Sequence, residues 1–437
     1  MRLLRAGQVL TGRPGEAFAD GEVLVDGPRI THVGAGGSAP EVPGTEVVEL
    51  PGCTLMPGLI DSHVHIGFDQ AVDHATRRSS ESNAHLLLRM AENCRRLLSA
   101  GVTTARDLGG RDFLEIELRS AIEAGLGVGP HLVVATRPIT NTGGHCWYMG
   151  GEADTEEEIR RVARENLRAG ADLLKIMATG GNTTPVGAPP WQAQFTAAQI
   201  KVAVDEAAMR GKTIAAHAHG APGIANAVEA GVATIEHCSF LGRRRPGASA
   251  EVDMSVVARV AERGIYVCPT VSGVVWKIRE ALGSEWFDSR LSRLSVLRDA
   301  GVRIVADTDS GLSLRGIENR MDDYVSGLEV FAAAGWDNAS VIEAATVLAA
   351  GACGVSEMTG SLDKGKRADL LAVRGDPLAR LDDLRQVQLV MVSGRIVTQA
   401  GIETAHYLAG CPSSRAYDSG AHCVLLSWAS GCVLRCI

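Results

Sequence analysis

Eight apolar, strand-like runs recur through the middle of the chain, with helix-like stretches between them. The runs are TLMPGLIDSHVHI, GVTTARDL, HLVVATRPI, DLLKIMATG, TIAAHAHG, ATIEHCS, IYVCPT and VRIVADTD. The intervening stretches include NAHLLLRMAENCRRLLSAG, TEEEIRRVARENLRAG and TAAQIKVAVDEAAMRG. Several end in Gly, as helix C-termini prefer, and two begin with Thr followed by acidic or amide residues, an N-terminal signal. Eight strand-helix repeats predict an α/β fold, a (β/α)8 TIM barrel, whose chemistry sits at the C-terminal ends of its strands.

The two ends of the chain have a different texture. QVLTG, GEVLVDG, ITHVG and TEVVEL read as short strands with turns, and RADLLAVRG and QVQLVMVSGRIV repeat that pattern late in the sequence. The expected organisation is a small β-sandwich domain formed from both termini, residues 1–56 and 358–402, around a barrel at 57–357. The 437 residues and their 46% hydrophobic content suffice for that core. Residues 403–437 form an atypical Cys-rich tail, read as a poorly ordered end. The spacing of Cys411, Cys423, Cys432 and Cys436 matches no standard zinc finger. The other six cysteines are scattered and read as small buried residues of a reduced, cytoplasmic protein. A net charge of −8 argues against nucleic-acid binding, and no apolar run reaches the ~18 residues of a membrane span.

Candidate metal ligands fall where the strands end. His63 and His65 lie in DSHVHI, Lys175 in LLKIM, His217 and His219 in AAHAHG, His237 in IEHCS, and Asp307 and Asp309 in ADTDSG. His-x-His on a strand points both rings to one side, because side chains alternate with period two. Lys175 is costly to bury as an ammonium. It either pairs with an acid or reacts with carbon dioxide, giving a carbamate able to bridge two cations. One of His217 and His219 is expected to join His237 on a second cation. Asp309 is the candidate to bind metal and shuttle a proton, with Asp307 as its rival. Imidazole and carboxylate ligands suit Zn²⁺, with Mn²⁺ and Co²⁺ as alternatives. Arg106 and Asp107 read as an ion pair at the barrel mouth.

In combination, PGLIDSHVH, the in-strand Lys175, AAHAHG, IEHCS, ADTDSG and the late GSLDKGKRADLLAV resemble the amidohydrolase superfamily. The nearest subgroup is the binuclear, metal-dependent one related to imidazolonepropionase and the Xaa-Pro dipeptidases. The resemblance spans about residues 1–400. It implies that His63 and His65 hold one cation, His217 and His237 the other, and carboxylated Lys175 bridges them. Asp309 matches the strand-8 aspartate of a Gly-Thr-Asp pattern, and Asp307 replaces the Gly. ITNTGGHCW resembles a substrate-contacting loop, making His145 a candidate to polarise or orient the scissile carbonyl. Tyr148, Trp191 and His219 are candidate substrate contacts.

The function expected from these readings is hydrolysis of an amide bond in a small substrate, such as a dipeptide or N-acyl amino acid, by a metal-bridging hydroxide. A mononuclear deaminase or cyclic-imide hydrolase of the same superfamily is the alternative, and a non-catalytic binding protein the remote one. The partner is a small-molecule substrate, with no nucleic acid and no membrane. A homo-oligomer is compatible with the chain.

Overall fold

The computed structural model describes residues 1–69, 80–184, 187–242, 252–311, 313–314 and 317–399. The expected Cys-rich tail lies outside these residues.

Strands from both ends of the chain share one sheet. The N-terminal strands are β1 (Arg2–Leu10), β2 (Ala17–Asp26), β3 (Arg29–Ala35) and β4 (Glu46–Pro57). After them come β5 (Leu59–Val64), β6 (Val102–Asp107), β7 (His131–Val134), β8 (Leu173–Met177), β9 (Thr213–Gly220), β10 (Thr234–Leu241), β11 (Tyr266–Cys268) and β12 (Arg303–Ile304). A short hairpin of β13 (Ser313–Leu314) and β14 (Ile317–Glu318) precedes the last three, β15 (Leu370–Arg374), β16 (Val387–Val392) and β17 (Arg395–Gln399). The seven terminal strands take the order β17-β16-β15-β4-β1-β2-β3. Alternate residues of both halves, such as Leu4, Val23, Leu55, Leu370 and Leu389, meet in one buried cluster. Each such side chain contributes roughly 1.5–3 kcal/mol by leaving water. β4 is the hinge of this arrangement. It runs parallel to β1 and antiparallel to β15, and Gly58 alone separates it from β5.

β5 to β12 correspond to the eight apolar runs. They form two all-parallel sheets, β5-β6-β7 and β12-β11-β10-β9-β8. Backbone hydrogen bonds join these sheets at both edges. Ile139 N–H donates to the Lys175 carbonyl and Met177 N–H to that of Ile139, each at 2.8 Å. On the other side, Asp309 N–H donates to His63 O at 2.8 Å and His65 N–H to Ser310 O at 3.0 Å. Between the strands, Ile60, Val133, Leu173, Ala215 and Val305 pack against the helix Val347–Ala352.

The helices begin where the sequence signals them. Thr155 and Thr196 each accept a hydrogen bond from the backbone three residues on, while Glu158 and Gln199 reach back to the cap. These reciprocal bonds satisfy N–H groups that a helix start leaves unpaired. Gly170 closes the first of these helices at φ 110°, a conformation that favours glycine.

Candidate active site

His63 and His65 project together from the end of β5, as their spacing requires. Their Nε2 atoms are 3.4 Å apart, and Asp309 Oδ1 lies 3.5 Å from the first and 3.4 Å from the second. Tetrahedral ligands held ~2.1 Å from a zinc ion stand about 3.4 Å apart, so the spacing of these three atoms suits such an ion. Asp309 Oδ1 is buried without a hydrogen-bond partner. His217, His219 and His237 form a second group, whose ligand atoms lie within 4.8 Å of one another. The two groups adjoin, with the His63 and His237 ring centroids 5.7 Å apart.

The outward nitrogen of each of four rings meets an oxygen. His65 Nδ1 lies 3.0 Å from Gly109 O, and His217 Nε2 lies 3.0 Å from Gly180 O. A carbonyl only accepts, so both nitrogens are N–H donors. His237 Nδ1 lies 2.8 Å from Thr270 Oγ1, whose own hydrogen goes to Pro269 O. That nitrogen is therefore a donor as well. His63 Nδ1 lies 3.0 Å from Glu236 Oε2, close enough for a hydrogen bond but not aligned for one. A ring that donates outward turns a lone pair inward when it is neutral. His217 Nδ1 and His237 Nε2 face each other at 2.9 Å, where two lone pairs repel unless a cation lies between them.

Lys175 is 1% exposed on β8. It forms no hydrogen bond and meets no carboxylate within 4.0 Å among the described residues. Burial pulls its ammonium below the ordinary value, with Glu236 opposing and Arg106 assisting. Burial and the Lys175 charge bring His63 down to about 4, and burial also depresses His217 and His237. For His65, burial lowers the value but the Asp309 carboxylate outweighs it. The two carboxyls of ADTDSG differ. Burial raises both, yet His63, His65 and Lys175 hold Asp309 below its usual range, while Glu236 and Asp61 push Asp307 well above it. Asp307 accepts the Thr270 N–H at 2.9 Å and stands 4.0 Å from His63 Nδ1, behind the ring. Of the two, Asp309 alone is placed against the inward nitrogens.

Glu236 is a site residue that sequence reasoning missed. Strict alternation along β10 would turn it away from His237, yet both approach His63. His237 has φ 69°, and that left-handed step breaks the period of two. Arg106 also departs from expectation. Its partner is Glu236, at 3.2 Å, rather than Asp107. Adjacent strand residues face opposite ways, so Arg106 points inward while Asp107 accepts the backbone N–H groups of Ile66 and Gly109.

The other candidates lie around this centre. His145 packs on His217 at 4.4 Å between centroids, with Nδ1 2.8 Å from Thr184 Oγ1, and burial holds it neutral with a value of about 3. His219 stacks on His237 at 4.2 Å and meets Ser239 Oγ at 3.0 Å. Tyr148 is 3% exposed, its hydroxyl 3.8 Å from Cys146 Sγ. Trp191 lies in the loop beyond β8, its backbone against Gly220. The six described cysteines are free and buried. A Cβ at Gly181 would run into the His145 ring. Gly181→Ala is therefore expected to displace His145 and lower kcat at least tenfold, with far-UV circular dichroism unchanged. Wild-type kinetics in that variant would show that His145 has no role.

The Amidohydrolase family model matches residues 54–397. Ochratoxinase of Aspergillus niger is 30% identical over 386 residues, covering 80% of this chain and 76% of that protein. Its crystal structure superposes with a TM-score of 0.79 at 27% identity, covering 92% and 97% of the two chains. A Xaa-Pro dipeptidase with methionine bound in its active site gives a TM-score of 0.77 at 25% identity, covering 90% and 99%. The imidazolonepropionase of Caulobacter vibrioides is 26% identical over 336 residues, covering 70% of this chain and 76% of that one. These neighbours imply a TIM-barrel fold. With most of its length matched, and with histidine and aspartate groups suited to metal, this chain belongs to the amidohydrolase family.

Proposed function

We propose that this member of a hydrolase superfamily is a binuclear amidohydrolase that cleaves an amide bond of a small dipeptide or N-acyl amino acid. The observation that carries the reading is the set of four imidazoles whose outward nitrogens face oxygens, leaving inward lone pairs in two adjacent groups. His63, His65 and Asp309 would hold one divalent cation, and His217 and His237 the other. Lys175, buried and without a partner, would bridge them as its carbamate. The reading takes β5 to β12 as a closed (β/α)8 barrel at residues 57–357. The terminal segments, expected as a β-sandwich, then form the second unit, with their seven strands in one sheet.

When bound, such cations lower the pKa of water and polarise a carbonyl. The residues do the remainder. Asp309 takes the proton from the attacking water and delivers it to the leaving amine nitrogen. His145, neutral, donates from Nε2 to the developing oxyanion. Thr184 Oγ1 already accepts the Cys146 N–H at 2.9 Å, so its own hydrogen can serve His145 Nδ1 and leave Nε2 as the donor side.

Metal analysis with a substrate screen tests the reading. Wild-type protein is expected to bind about two zinc equivalents and to hydrolyse members of an N-acyl amino acid and dipeptide panel. Lys175→Ala should retain no more than about one equivalent and lose at least 100-fold in kcat. One equivalent in the wild type, with deamination rather than amide cleavage, would favour the mononuclear alternative.

A further inference from the structure

The helix Ser284–Asp299 carries Arg290 and Arg293, three residues apart and hence on one face. Both guanidinium charges act on His219. Arg290 is fastened to the rim of the site: its Nη2 donates to Pro269 O at 2.9 Å and to Thr270 O at 2.7 Å. Thr270 is also the residue whose hydroxyl meets His237 Nδ1. Those two bonds use both hydrogens of Nη2. Arg290 Nε is buried with no hydrogen-bond partner, and no carboxylate lies within 4.0 Å of Arg290 among the described residues. Asp307 and Asp309 influence it only through the field, since one is held by the Thr270 N–H and the other faces His63 and His65. The Trp286 ring, 5.8 Å from the guanidinium carbon, flanks it on the same helix.

A positive charge fixed beside a histidine cluster, with donors unspent, is costly until an anion meets it. Arg290 Nη1 makes no hydrogen bond among the described residues, and a charge-assisted bond from a guanidinium N–H to a carboxylate is about twice as strong as one between neutral groups. We propose that Arg290, with the charge of Arg293 beside it, is the subsite for a free carboxylate on the substrate. This inference rests on the amide-hydrolase reading and narrows it to anionic substrates. Neutral amides and ureas are then poor ligands.

Binding measured by titration calorimetry tests the assignment. The zinc-loaded Asp309→Asn protein, in which turnover is slow, is titrated with N-benzoyl amino acids, with their carboxamides and with benzyl phosphate. The best carboxylates are expected to bind about tenfold or more tightly than their carboxamides. Adding Arg290→Gln should bring that ratio near one without weakening carboxamide binding. Arg290→Lys, which keeps the charge but not the fixed guanidinium donor, should give an intermediate ratio and guards against loss of fold in the Gln variant. No carboxylate preference, a preference that survives Arg290→Gln, or tighter binding of benzyl phosphate would overturn the proposal. Failure of the amide-hydrolase reading has a different signature: the carboxylate preference persists, but wild-type protein cleaves none of the panel.

Discussion

Asp309→Asn is expected to lower kcat by about 10²–10⁴-fold, the range that loss of a positioned acid-base group gives. The substitution removes little else. Asp309 adopts φ 55°, a conformation that asparagine tolerates better than most residues. Its backbone is held from both sides: its N–H donates to His63 O, and its carbonyl accepts from Asn319 Nδ2 at 2.8 Å. The amide can therefore occupy the same place against His63 and His65. It carries no negative charge and cannot take the proton of the attacking water. Steady-state kinetics with zinc content measured in parallel checks this. Turnover within a few-fold of wild type, with zinc still bound, would remove Asp309 from the mechanism. Asp307, held behind His63, would then be the group to vary.

Glu236→Ala is expected to destabilise the protein by about 3–5 kcal/mol, the usual cost of leaving one member of a buried ion pair alone. Both Glu236 and Arg106 are fully buried. Arg106 also donates to Ser62 O at 2.6 Å and to Ala352 O at 3.1 Å, so it cannot swing out to water. Without Glu236, its charge remains in the core, and His63 loses the carboxylate beside Nδ1. Two readouts are needed. The urea midpoint should fall strongly in Glu236→Ala and recover in part when Arg106→Met removes the stranded charge. Zinc affinity should stay weakened in both variants, because His63 lacks its outer partner in each. A single variant as stable as wild type would mean that the pair is solvated in solution. Recovery of zinc affinity in the double variant would show that Glu236 does not orient His63.

Much of this architecture can be read from residues near each other in sequence. The strand runs, the Thr caps and the His-x-His pairs rely on periods of two and of 3.6, and those periods hold along most of the chain. The partner of Arg106 is out of reach of such reasoning, since Glu236 lies 130 positions away. Glu236 itself is hidden by the left-handed step at His237, which no pattern in IEHCS announces. Asp307 and Asp309 share a strand face by spacing, and only their contacts separate them: Asp307 accepts the Thr270 N–H, while Asp309 faces His63 and His65. The carboxylate-binding role proposed for Arg290 depends on two backbone carbonyls beyond β11, contacts that leave no mark in composition.

The shared terminal sheet has a consequence for how the protein is made. β4 pairs with β15 from Cys53↔Arg374 to Pro57↔Leu370, and β5 starts two residues later and carries the candidate ligand His63. A ribosome delivers β4 long before β15. Through most of synthesis, the strand that leads into the active site has one unpaired edge, and such edges invite association between chains. Pairings this distant in sequence also close slowly. Chains that stall or end before residue 370 should therefore aggregate rather than fold, even though every candidate metal ligand has already been made.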